Sequence, residues 1–192
     1  MDQHLQKHVL YVSDKDWEWL KAMLEEKPKP SNGRDNKVNS LDLARYIINR
    51  CNDANYPTTN LQLQKILWLM QVSYCYACEE LLFTEEFKVI PLGPVLPSVW
   101  NTFDMYGGSL IYGTDQVELP VSITTNSTIQ FINDAIDDLR HRSPYEITRA
   151  SMSDDSPWAL IFQDGKGIWQ TIPNQLIFDH VEQRKIKKAE TI

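Results

Sequence analysis

The chain has 192 residues, 42% of them hydrophobic, and a formal net charge of −7. That length and apolar content suffice for one compact domain plus an appendage, while the acidic balance disfavours general binding to phosphate backbones. No run approaches the roughly 20 apolar residues of a membrane-spanning helix, and Met1 to His4 carry no basic stretch leading into an apolar one. The 3 cysteines cannot all pair, so a cytoplasmic protein with reduced thiols is expected.

The opening segment contains Trp17, Leu20, Met23 and Leu24 at helical spacing, an apolar stripe that either a partner or the core can cover. Residues 27–37, polar and rich in Pro, Gly and Asn, read as a linker. The chain therefore divides into an N-terminal amphipathic arm with its linker, residues 1–36, and a domain at 37–192.

Ser40 is expected to cap a helix carrying Ala44, Ile47, Ile48 and Cys51 and ending near Tyr56-Pro57. Asn60 is expected to cap the strongest helix, in which Leu63, Ile66, Leu67, Met70, Tyr74, Ala77, Cys78 and Leu81 form one stripe and Trp68, Val72 and Cys75 a second. Apolar on two sides, it should be central.

Phe87 to Ile90 reads as a short strand, broken by Pro91 and the Gly93-Pro94 turn. Pro97 suits the first position of a helix stopped by Gly107-Gly108, and Leu110 to Ile123 suggests a small hairpin.

A helix through Ile129, Ile132, Ile136 and Leu139 places Asp134, Asp137 and Asp138 on a solvated face. Ser143-Pro144-Tyr145-Glu146 matches a capping box, Ser156-Pro157-Trp158 repeats the cap-then-Pro signal, and Pro173 can start a terminal helix. The fold class is mainly α with an α+β character: a compact bundle of about six or seven helices with a small antiparallel β element.

Chemistry-bearing patterns are sparse. Cys75-Tyr76-Ala77-Cys78 has redox or half-zinc spacing, but no second ligand pair follows and both thiols lie in the most apolar helix, so buried core cysteines are expected. His4, His8, His141 and His180 are scattered, and Gly107-Gly108 and Gly165-Lys166-Gly167 lack a phosphate-loop pattern. Ser153 to Ser156 reads as helix capping, and the basic tail Arg184 to Lys188 as cations at a helix C-terminus. No catalytic residue, cofactor or metal is expected. The rival classes are an enzyme, which needs a pocket of convergent perturbed groups, and a regulator binding DNA through the basic tail.

Asn60 to Trp68, Leu81-Leu82-Phe83, the turn Pro91 to Pro97, Tyr106-Gly107 and the late Pro157-Trp158 together resemble the Panacea domain family, which includes SocA-like, phage-associated proteins. The resemblance covers about residues 40–182 and assigns structural motif roles to Leu63, Lys65, Leu67, Gly93, Pro94, Val95, Pro97, Tyr106, Gly107, Pro157 and Trp158. Gln62 stands where relatives often carry Lys, and Arg149-Ala150-Ser151 where they often carry Thr-His. The family implies an antitoxin that binds and blocks a cognate protein toxin from an adjacent gene, acts without catalysis, and in some members hands the toxin to a protease. A protease adaptor or phage-associated regulatory protein is the alternative, a hydrolytic enzyme the more remote one. The arm, Tyr11 to Leu24 followed by Pro28 and Pro30, resembles the toxin-binding tail of TacA-type antitoxins, which makes Trp17, Leu20, Met23 and Leu24 candidate toxin contacts.

Overall fold

A computed structural model describes residues 37–120, 123 and 127–189. Helix α1 (Ser40–Asp53) is capped by Asn39, whose side-chain oxygen accepts from the N–H groups of Leu41 and Asp42. Strand β1 (Thr58–Thr59) leads into helix α2 (Asn60–Cys78), where Thr59 and Gln62 form a capping box. Both caps lie one residue before the sequence expectation. A cap needs extended backbone, and Ser40 and Asn60 are already helical, which frees their side chains for other partners.

Strands β2 (Phe87–Ile90) and β3 (Gly93–Val95) precede helix α3 (Pro97–Thr102), a 3-10 turn (Asp104–Tyr106) and strand β4 (Leu110–Ile111). Helices α4 (Ser127–Leu139), α5 (Pro144–Ser151) and α6 (Pro157–Phe162), strand β5 (Thr171–Ile172) and helix α7 (Asn174–Ala189) complete the chain. The described residues thus form seven α-helices and two small antiparallel sheets. One has the order β3-β2-β5, with Val89 opposite Pro94 and Phe87 opposite Ile172; the other pairs β1 with β4.

The hairpin expected over Leu110 to Ile123 does not form among the described residues, because β4 pairs with β1. After β4 the chain turns at Gly113, and the Asn49 side chain binds the Thr114 N–H and the Asp115 carbonyl, withdrawing both from strand pairing.

Helix α2 runs through the middle of the core, with Leu63, Leu67 and Met70 fully buried. Trp68 meets Phe87 of the sheet edge-on at 4.9 Å. The acidic face of α4 is not simply solvated: Asp137 accepts from Arg50 Nε at 3.1 Å and Nη2 at 2.6 Å, tying α4 to α1. In α7, Arg184 pairs with Asp155 at 2.6 Å and Lys185 with Glu79 at 2.7 Å. The basic tail therefore clamps the helix onto the domain.

Replacing Leu67 with Ala leaves a cavity at the centre of this core. The expected loss is about 2–5 kcal/mol in denaturant unfolding, and a loss under about 0.5 kcal/mol would contradict the placement.

Candidate functional site

The motif residues meet where α2 faces β3. Lys65 is fully buried, and its Nζ donates to the Pro94 carbonyl at 3.0 Å. Burial pushes its pKa down from 10.5 to about 7, since an ammonium loses its hydration there without gaining a carboxylate. Gly93 has φ +103, and a Cβ on it would lie 2.8 Å from Lys65 Nζ and 3.1 Å from Ser151 Oγ. The backbone conformation favours glycine there, and any Cβ would force the Lys65 amine to shift.

Around this contact, buried amides fix the neighbouring segments. Gln64 accepts from the Leu96 N–H at 2.8 Å and donates to Asn60, whose amide donates to the Trp100 carbonyl at 3.0 Å. Gln71 donates to the Phe83 carbonyl at 2.9 Å and accepts from the Leu82 and Phe83 N–H groups. Trp158 Nε1 donates to the Ile90 carbonyl at 2.9 Å, and its ring stacks on Phe162 at 4.4 Å. Leu96 lacks a capping side chain, and the Glu85 carboxylate instead accepts from the Ser98 N–H and hydroxyl and from the Ser40 hydroxyl.

Of the motif residues, Lys65, Gly93 and Pro94 touch directly, and Trp158 joins them through Ile90 at the other end of the β2–β3 turn. Leu63, Leu67 and Val95 are core residues, while Pro97 and Pro157 start their helices. Tyr106 and Gly107 lie beyond α3, where Tyr106 packs near Phe103 with ring centroids 6.5 Å apart and Gly107 takes φ +52 in open space. Trp17, Leu20, Met23 and Leu24 fall outside the described residues. Of the polar members of the junction, Asn60 was read from sequence only as a helix cap, and Gln64 and Gln71 were not singled out; their signal was polarity inside a helix with two apolar faces.

The junction is built for rigidity. Burial raises the thiol pKa of Cys51 to about 11, of Cys75 to about 12 and of Cys78 to about 11, so all three stay protonated near neutrality. His180, with Nδ1 3.0 Å from the Asp155 carbonyl, is pushed down to about 4 by burial first and the Arg184 charge second. Among the described residues no group of three His, Cys, Asp or Glu is placed to hold a metal ion, and no helix is long and apolar enough to cross a membrane.

Lys65 gives the fold a pH signature. Because its folded pKa lies below the unfolded value, the unfolded chain binds more protons between about pH 7 and 10.5, and stability should rise as pH rises through that window. Lys65→Met should flatten the rise, as read from denaturant midpoints against pH; equal slopes in the two proteins would rule out a buried, desolvated amine. Gly93→Ala should destabilise by about 1–3 kcal/mol from backbone strain, with the close approach to Lys65 adding to the loss.

A search of the curated proteins and of the solved structures finds no match. A scan of family models finds one whose description reads "Antitoxin SocA-like, Panacea domain", matching residues 63–159. That span is half of the chain and contains α2 from Leu63 onward, the β2–β3 turn, Tyr106-Gly107 and the start of α6 with Trp158. The chain belongs to the SocA-like antitoxin family that the Panacea domain defines.

Proposed function

We propose that the chain is the antitoxin of a toxin–antitoxin pair and neutralises a cognate protein toxin, encoded by an adjacent gene, by binding it directly in the cytoplasm. The family match over residues 63–159 carries this reading. A binder of this kind works through a rigid scaffold and exposed anchors, and needs no reactive group. The buried polar junction supplies the scaffold: it holds the loops around α2 in one arrangement, so little ordering entropy is lost when a partner docks. An interface of standard size covers roughly 800 Å² on each partner. Aromatic residues are favoured anchors, and among the described tryptophans Trp68 and Trp158 are buried while Trp169 is 51% exposed.

We assign a toxin-contacting role to the arm stripe of Trp17, Leu20, Met23 and Leu24, on its acidic-aromatic pattern and apolar spacing. Expression of the neighbouring open reading frame should arrest growth, co-expression of this chain should relieve the arrest, and the two proteins should co-purify. A toxic neighbour that is neither bound nor relieved would overturn the antitoxin reading. In the full-length chain, Trp17→Ser with Leu20→Ser should weaken the complex by at least about tenfold, or roughly 1.4 kcal/mol. Unchanged affinity would remove the stripe from the interface and leave the antitoxin reading standing.

A further inference from the structure

Leu160, Ile168 and Trp169 are 54%, 41% and 51% exposed and belong to one stretch that folds back on α6. The Gly167 N–H donates to the Phe162 carbonyl at 3.1 Å, and a Cβ on Gly167 would lie 1.8 Å from the Ile161 carbonyl oxygen. The turn is therefore pressed against the helix end by a residue that tolerates no side chain.

Trp169 has φ +66, a left-handed conformation that strains a bulky residue. The surrounding backbone enforces it. Its N–H donates to the Val89 carbonyl at 2.7 Å, its carbonyl accepts from Lys88 Nζ at 3.3 Å, and the Val89 N–H donates to the Gln170 carbonyl at 3.0 Å. The sheet edge thus holds an indole out towards solvent at an energetic cost. Lys88 binds the Trp169 carbonyl and Lys166 lies three residues before Trp169 in the chain, and neither lysine forms an ion pair among the described residues. Asp164 is the only carboxylate of the 163–170 turn.

An exposed aromatic and aliphatic surface with two unpaired lysines, in a chain of net charge −7, fits an acidic amphipathic segment. The chain itself contains one. Asp14, Asp16 and Glu18, which outnumber Lys15 and Lys21 in the same stretch, interleave with Trp17 and Leu20 in the arm. The arm also ends in the right place: the Val38 N–H donates to the Leu82 carbonyl at 3.0 Å, and the Ser40 hydroxyl binds Glu85. Glu85 lies three residues before Lys88, about 10 Å of extended chain. The segment between Leu24 and Val38 would reach roughly 20 Å as a polar coil.

We propose that the arm folds back within the same molecule, so that its Trp17–Leu24 stripe covers the Leu160–Trp169 face with its carboxylates towards Lys88 and Lys166. The docking involves this chain alone and does not depend on the toxin's identity. A toxin that engages the stripe must first displace it from this face.

Hydrogen exchange on the isolated full-length protein tests this directly. Amides of residues 14–24 should be protected about tenfold or more. Trp169→Gly, which removes the indole while suiting φ +66, should abolish that protection and leave the α2 amides unchanged. A second variant pair, Lys88→Glu with Lys166→Glu, should reduce the protection, and carbodiimide should link Lys88 or Lys166 to Asp14, Asp16 or Glu18 in the wild type. The proposal is overturned by an unprotected arm in the wild type, which would leave the face to an external partner. It is equally overturned by protection that survives Trp169→Gly, or by protection that disappears on dilution as a dimer dissociates, which would mean a second copy supplies the arm.

Discussion

Helix α2 has apolar neighbours on every side, yet Asn60, Gln64, Lys65 and Gln71 lie buried within it. A buried polar group left unpaired costs about 1–3 kcal/mol, so each must find a partner inside the fold. Their partners are the carbonyls of Trp100, Pro94 and Phe83 and the N–H groups of Leu82, Phe83 and Leu96. The connecting segments are thus positioned by polar contacts from the core outward. A register error in any of them would strand several polar groups at once, which gives the arrangement its uniqueness. Ser73 is an exception, since its hydroxyl has no partner among the described residues.

The inward direction of these contacts separates the frame of the domain from any surface that meets a partner. Leu63, Lys65, Leu67, Gly93, Pro94, Val95 and Trp158 are all buried. Buried residues cannot discriminate between partners by contact; they preserve the frame. Any discrimination between partners has to come from exposed side chains or from segments outside this frame.

The helices were legible because their apolar residues recur at helical spacing, and the Ser143 and Ser156 caps because the following Pro and the Glu146 partner leave a local signature. Ser40 and Asn60 misled by one residue, because Asn39 and Thr59 beside them are equally good caps and only backbone conformation decides. The 110–123 region misled for a different reason: β4 takes its partner from Thr58–Thr59, far away in sequence. At the candidate site the Gly-Pro turn was visible as a turn and the resemblance marked Lys65 as a motif residue, but its burial beneath the turn was not visible. A lysine in sequence reads as surface, and only the packing of α2 against β3 puts Lys65 inside. Trp169 was invisible for a related reason, since its exposure follows from hydrogen bonds that cross between β2 and the turn before β5.

The placement of the cysteines reaches into how the protein meets its surroundings. Peroxides and electrophiles attack the thiolate, and the first oxidation products need space and water around the sulfur. Cys51, Cys75 and Cys78 are enclosed in the core and held protonated, so redox chemistry can reach them only through unfolding. Oxidants that act through thiols therefore leave the surface of the folded protein as it was.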